Sequence, residues 1–266
     1  MTAPVLQIRN ATLGFEEKTL WSNLNLDVQP REFIAVIGAN GSGKTSLLKA
    51  ILGEMKLTSG EIRIDQKLVR RGNHHVGYIP QHRSSDASVP LLAKDMVRLG
   101  IDGDRFGLPL PSRKTNALVT SVLAEVDASH LANKKVGSLS GGELQRLRVG
   151  QAVVSSPDLI LADEPLSALD LHQQKVVADL LNRQREEHEA AVLFVTHDVN
   201  PILEYVDRVL YLANGKFRIG TPDEVLRSEV LTELYDTPVD VVRNQGRIVV
   251  VGTNDEHHHH ADEQWR

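Results

Sequence analysis

Phe33-Ile34-Ala35-Val36-Ile37, followed at once by Gly38-Ala39-Asn40-Gly41-Ser42-Gly43-Lys44-Thr45, sets the reading of the whole chain. The continuous apolar run suits a strand buried on both faces of a sheet. The residues after it match G-x-x-x-x-G-K-[ST] in full, and Thr45 to Leu52 has helical character. Strand, glycine-rich turn and helix in that order make an anion nest. Glycines let successive backbone N–H groups turn inward, and the helix N-terminus adds positive potential. Lys44 can reach β- and γ-phosphates, and the Thr45 hydroxyl can ligate Mg²⁺. An ordinary glycine turn needs neither the lysine nor the hydroxyl, so the stretch implies a nucleoside triphosphate site.

The surrounding strands and helices extend the pattern. Val5 to Ile8, Leu24 to Val28 and Glu61 to Ile64 alternate apolar and polar residues, as half-buried strands do. Val76 to Ile79 is a further strand, ending at Pro80. From about His82 to Val154 strand signals thin out, and Ala93 to Leu99, Asn116 to Val126 and Glu143 to Val153 show helical spacing. Ile101 to Pro111 reads as a connecting loop. Strands return at Leu159 to Ala162, Ala191 to Val195 and Val209 to Leu212, with a helix over about His172 to His188 between the first two. That βαβ alternation implies a parallel sheet with crossover helices. The expected fold is α/β with a helical insertion in the middle. Arg247 to Val251 is the last strand-like piece.

A second centre of chemistry stands at the end of an apolar strand, Leu159-Ile160-Leu161-Ala162-Asp163-Glu164. In open α/β sheets ligands bind at the carboxyl ends of the strands, so these acids are expected beside the phosphate loop. Asp163 would hold Mg²⁺, directly or through water, and Glu164 would orient or deprotonate the attacking water. A solvated acidic turn before Pro165 is the plainer alternative for the pair taken alone.

Composition bounds the rest. The chain has 266 residues, with 30 Lys plus Arg against 35 Asp plus Glu, and a formal net charge of −5. That balance argues against a nucleic-acid-binding surface. There are no cysteines, which excludes disulfides, thiolate metal sites and cysteine nucleophiles. Met1 to Asn10 has neither a basic n-region nor an apolar h-region, so no signal peptide is expected. No apolar run reaches the length of a membrane helix, so a cytoplasmic protein is expected and any membrane path would belong to a partner.

Leu139-Ser140-Gly141-Gly142-Glu143 precedes a helix. Ser140 and Glu143 can form a capping box, which accounts for those positions and not for the glycines between them. L-S-G-G-E, a helix, and then the L-I-L-A-D-E-P strand resembles the ATP-binding subunit of ABC transporters. The other motifs of that family occur in order. Phe15 stands where the family has an aromatic that stacks on adenine, and Gln81 where it has the Q-loop glutamine. Ser167-Ala168-Leu169-Asp170 is similar to the D-loop, and Thr196-His197-Asp198 to the switch-histidine segment. Singly, each has a plainer reading: Phe15 as a core aromatic, Gln81 as a polar turn residue, His197 as a strand-end histidine bonded to backbone.

The resemblance covers roughly residues 4 to 251 and implies a P-loop NTPase fold of the ABC type. Its core sheet would be mainly parallel, with an N-terminal antiparallel β part and a helical subdomain inserted at about 83–155. One ATPase domain would span 1–252. The resemblance implies ATP and Mg²⁺ as ligands. Phe15, Gly38 to Thr45, Ser46, Ser140, Gly141, Gly142 and Asp170 would hold the nucleotide, and Thr45, Gln81 and Asp163 the metal. Glu164, His197 and Gln81 would serve catalysis. Two such subunits would pair head to tail, each ATP lying between one phosphate loop and the partner copy's L-S-G-G-E. The assembly would sit on the inner face of the cell membrane, peripheral to a multispanning permease, and indirectly served by an extracytoplasmic substrate-binding protein. No nucleic acid is implied.

Cargo is signalled by peripheral residues. Gln81-His82-Arg83, Ser88-Val89-Pro90 and Asp95 to Gly100 resemble the matching stretch of zinc and manganese importer ATPases. So do Leu231 to Tyr235, Thr237 to Val242 and Gly246 to Val251. Siderophore-importer ATPases share parts of this pattern. A soluble ABC ATPase acting on ribosomes or DNA is the alternative outside transport, and a single uninterrupted cassette speaks against it. Residues 253–266 have too little apolar content to pack and are expected to be disordered. Their His257 to His260 tract could bind Zn²⁺, Ni²⁺ or Cu²⁺ loosely; an inert tail or a tag is the other reading.

Overall fold

The computed structural model describes residues 3–15, 18–81, 90–102 and 112–252. Its centre is a six-stranded sheet ordered β10-β9-β3-β8-β7-β6. These strands are Phe33–Gly38 (β3), Val76–Ile79 (β6), Leu159–Asp163 (β7), Ala191–Val195 (β8), Arg208–Ala213 (β9) and Lys216–Gly220 (β10). The first five run parallel, and β10 pairs antiparallel with β9. The apolar run of β3 follows from its place between β8 and β9. Phe33, Ala35 and Ile37 enter one core and Ile34 and Val36 the other, because successive side chains leave a strand on opposite faces.

The first core packs against helices: Ala93–Asp102 (α2), Arg113–Glu125 (α3), Gly141–Val153 (α4) and Leu171–His188 (α5). Of these α2, α3 and α4 fall in the span read as a helical insertion. The second core packs against the helix Lys44–Ile51 (α1) and a four-stranded antiparallel sheet ordered β2-β1-β4-β5. That sheet comprises Leu6–Phe15 (β1), Lys18–Val28 (β2), Ser59–Ile64 (β4) and Lys67–Leu68 (β5). The arrangement is the expected α/β fold: a mainly parallel core, an antiparallel β part and inserted helices.

The structure corrects the sequence reading in four places. β1 and β2 are longer than the alternating pieces at Val5 to Ile8 and Leu24 to Val28. Their register shifts after Ile8, Ala11 and Leu13, with Asn10 and Asn23 at positive φ, and each bulge breaks the period of two. The expected loop Ile101 to Pro111 begins too early, because Ile101 belongs to α2; residues 103–111 lie outside those described. β10 was not anticipated: Lys216 to Ile219 alternate polar and apolar residues, but the strand is only five residues long and lies at the sheet edge with its lysine and arginine exposed. After it come the helices Pro222–Val225 (α6) and Ser228–Tyr235 (α7), then a hairpin of Val239–Asn244 (β11) and Arg247–Gly252 (β12). Only the second hairpin strand was legible. His82, Arg83, Ser88 and Val89 of the importer-like stretch, and the tail with its histidine tract, lie outside the described residues. Among the described residues no helix is long and apolar enough to cross a membrane.

Candidate functional site

The phosphate loop turns between β3 and α1. Lys44 is 6% exposed, and its ammonium donates to the carbonyls of Gly38 at 2.7 Å and Ala39 at 3.0 Å, closing the loop on itself. Burial, the larger influence, lowers the Lys44 pKa, while the charges of Glu164 and Asp163 pull it back up. Gly38, Gly41 and Gly43 all have positive φ. A Cβ at Gly41 would meet nothing within 4 Å, and the Ser42 hydroxyl is buried without a partner. The cradle therefore has space, orphan donors and a cation for an anion with several oxygens.

Gly38 shows how tightly the cradle is built into the sheet. It sits at φ +152°, and a Cβ there would stand 2.1 Å from the Leu212 carbonyl of β9. Gly38→Ala must push β3 from β9, with a cost of about 1–3 kcal/mol or more. Its melting temperature should fall well below that of the native chain; an unchanged value would contradict this packing.

Asp163 and Glu164 end β7 beside the loop. Asp163 is 2% exposed, and its Oδ1 accepts from the Thr45 hydroxyl at 3.2 Å. Burial raises its pKa above the ordinary 3.8, with Glu164 adding repulsion and Thr45 and Lys44 opposing. The folded state thus holds that proton more tightly than the unfolded chain. Stability is greatest below the ordinary value and declines as pH climbs through the raised one. The nucleotide-free Asp163→Asn variant should melt above the native chain at pH 7–8, with the gap closing near pH 4. A lower melting temperature at neutral pH would contradict the burial argument. A carboxylate kept at such a cost is one whose charge is used elsewhere.

Glu164 lies at φ 47°, a left-handed position unusual for a non-glycine residue. Its N–H donates to the Val195 carbonyl and its own carbonyl accepts from the Ser167 hydroxyl, so the backbone is held there from two sides. Its carboxylate accepts from Gln81 Nε2 at 2.9 Å, and His197 Nδ1 is 4.0 Å away. Glutamine, glutamate and histidine thereby converge from the ends of β6, β7 and β8.

A hollow of about 410 Å³ is lined by Phe15, Gln81, Glu164 and most of the loop from Asn40 to Ser46. Phe15 is 50% exposed at the end of β1, at the rim of this hollow rather than in a core. Leu20 of β2 also lines it. That residue went unnoticed because β2 was read only from Leu24 onward.

Ser140, Gly141, Gly142 and Asp170 do not line the hollow. Ser140 caps α4 in a complete capping box: Oγ accepts from the Glu143 N–H, and the Glu143 carboxylate accepts from the Ser140 N–H. That backbone hydrogen bond is the main reason the Glu143 carboxyl is held below the usual range. Gly142 is explained within the chain, since a Cβ there would strike the Gln173 side chain at 2.3 Å. Gly141 is not: its nearest neighbour would be Leu169 at 3.9 Å, in open space. Asp170 caps α5, its Oδ1 accepting from the Gln173 N–H at 2.8 Å.

A phosphate cradle at the carboxyl end of a parallel sheet, faced by acids from β7, which stands beyond β8 in the same sheet, defines a P-loop ATPase. The family model for ABC transporters matches residues 21–167, and the chain belongs to that family as an ATP-binding, ATP-hydrolysing subunit. It is 30% identical over 235 residues to the zinc import ATP-binding protein ZnuC of Marinobacter nauticus, covering 88% of this chain and 84% of that one. It is 34% identical over 257 residues to the hemin import ATP-binding protein HmuV of Photobacterium damselae subsp. damselae, covering 90% and 92%. Among solved structures it matches one described as a metal-chelate type ABC transporter in an inward-facing conformation. That match has a TM-score of 0.80 and 28% identity, covering 95% of this chain and 98% of the other.

Proposed function

We propose that this chain powers import of a divalent metal ion, zinc or manganese, as one of two identical ATPase subunits beneath a multispanning permease. A substrate-binding protein outside the membrane would deliver the ion, and the ATPase pair would lie on the cytoplasmic face, bound to the permease. One observation carries the reading: the hollow gathers the loop, Gln81 and Glu164 but not Ser140 to Gly142. Asp163 and His197 do not line the hollow either, but within the same copy Asp163 bonds to Thr45 and His197 approaches Glu164. Among the described residues Ser140 to Gly142 have no such tie to the loop, which supports a second copy supplying them.

These placements support the following mechanism. Phe15 stacks on adenine, and the N–H groups of the loop from Gly38 to Ser46, with Lys44, hold the β- and γ-phosphates. Mg²⁺, held by Thr45, Asp163 and Gln81, would supply charge neutralisation at those phosphates. Glu164 takes the proton of the attacking water, and His197 hydrogen-bonds the γ-phosphate. Ser140, Gly141 and Gly142 of the partner copy present the N-terminus of α4 to the same phosphate, and Asp170 lies at the contact between copies. ATP joins the two copies, and hydrolysis removes the γ-phosphate contacts that hold them closed.

Zinc relatives at about 30% identity support the metal-ion cargo. The HmuV relative supports haem or an iron chelate as the second reading. The complex of this chain with its permease, reconstituted in vesicles, separates them. ATP-dependent uptake of zinc or manganese, abolished by Glu164→Gln, is the expected result. Uptake of haem alone would replace the metal ion with the second reading, and a complex that hydrolyses ATP but takes up neither cargo would refute the import reading.

A further inference from the structure

His197 stands at the tip of a turn, 67% exposed in its side chain, and something must fix where that turn points. The turn closes through Thr196, whose hydroxyl donates to the Asp198 carbonyl at 2.7 Å and accepts from the Asp198 N–H at 3.1 Å. Asp198 passes the restraint onward. Its Oδ1 accepts from the Asn200 N–H at 3.0 Å and from Asn200 Nδ2 at 2.7 Å. The Asn200 amide then pairs with a backbone unit far along the chain. Nδ2 donates to the Ile248 carbonyl at 2.9 Å, and Oδ1 accepts from the Ile248 N–H at 2.8 Å.

Ile248 belongs to β12, in the hairpin that closes the described chain. β11 is itself anchored to α7 through Ser228 and Thr232, and through Arg243 to Asp223 of α6. Between the histidine turn and the hairpin lies a hollow of about 320 Å³, with His197, Asp198 and Asn200 on one side and Ile248, Val249 and Val250 on the other. The turn therefore has room to shift, and Asn200 ties it across that room to a strand fixed elsewhere. A planar amide held at both its oxygen and its nitrogen has a defined orientation.

We propose that Asn200 is a positioning residue for hydrolysis, holding His197 at the γ-phosphate by clamping its turn to the β12 backbone. The terminal hairpin thereby acts as the fixed reference for the switch histidine. This rests on the role proposed for His197, and the test distinguishes the two.

Asn200→Ala, Asp198→Ala, His197→Ala and the double variant Asn200→Ala/His197→Ala are assayed for ATP turnover, KM for ATP and melting temperature. Misplacing a reacting group by about 1 Å can cost up to about a hundredfold, so Asn200→Ala should lower kcat about ten- to a hundredfold with KM unchanged. Asp198→Ala breaks the same tie from its other end, leaves the Asn200–Ile248 pair intact, and should give the same fall. In the His197→Ala background, Asn200→Ala should cause no further loss. An undiminished kcat in both tie variants, or an equal additional loss in the His197→Ala background, overturns the proposal. Full turnover by His197→Ala alone overturns the role of the histidine, and the clamp with it.

Discussion

Glu164→Gln should nearly abolish ATP hydrolysis while leaving ATP binding intact. The substitution preserves size and an acceptor oxygen for Gln81 Nε2, which donates to this side chain at 2.9 Å. It removes the group proposed to take the proton from water. General-base catalysis contributes roughly 10²–10⁴-fold, so turnover should fall by about that factor. Affinity for ATP should hold or rise, because a carboxylate facing the γ-phosphate repels it in the ground state. Phosphate release and calorimetric ATP binding, measured on the same preparation, read the two effects separately. A variant retaining more than about a tenth of native turnover would remove Glu164 from the role of base.

Lys44→Ala should act on binding itself. The buried ammonium closes the loop through Gly38 and Ala39, and Lys44 lines the hollow. Each hydrogen bond to a charged group contributes about 1.5–3 kcal/mol. Loss of even one to phosphate weakens binding about tenfold to a hundredfold. The two freed carbonyls also lose the partner that fixes the loop's shape. ATP titration of Lys44→Ala should show that weakening, and native affinity would contradict the role given to the loop.

The phosphate loop and the β7 acids were legible because their chemistry permits few residue types. An inward-turned backbone needs glycine, and a strand buried on both faces needs an unbroken apolar run. The phases of β1 and β2 were legible only as far as their bulges at Asn10 and Asn23, and Leu20 of the hollow was lost with them. The β11 strand was missed because its restraints come from the α7 side chains Ser228 and Thr232 rather than from periodicity. Asn200 left no local signal at all. Its decisive partner is Ile248, 48 residues away, and its bonds to Asp198, two residues back, read as those of any turn until the hairpin is in place. Ser140 was ambiguous in sequence between cap and ligand, and in the structure it is fully a cap. Capping and phosphate binding use the same N-terminus of α4, so the first does not exclude the second.

In the proposed mechanism a second copy completes each ATP site. The chain contains no cysteine, so a pair introduced as Asn40→Cys and Ser140→Cys, in the Glu164→Gln background, provides the only thiols for a cross-link. Under mild oxidation with ATP, the expected product is a disulfide-linked dimer of twice the chain's mass, absent without nucleotide. A monomer that cross-links only within itself, or a dimer yield indifferent to ATP, would contradict the shared site.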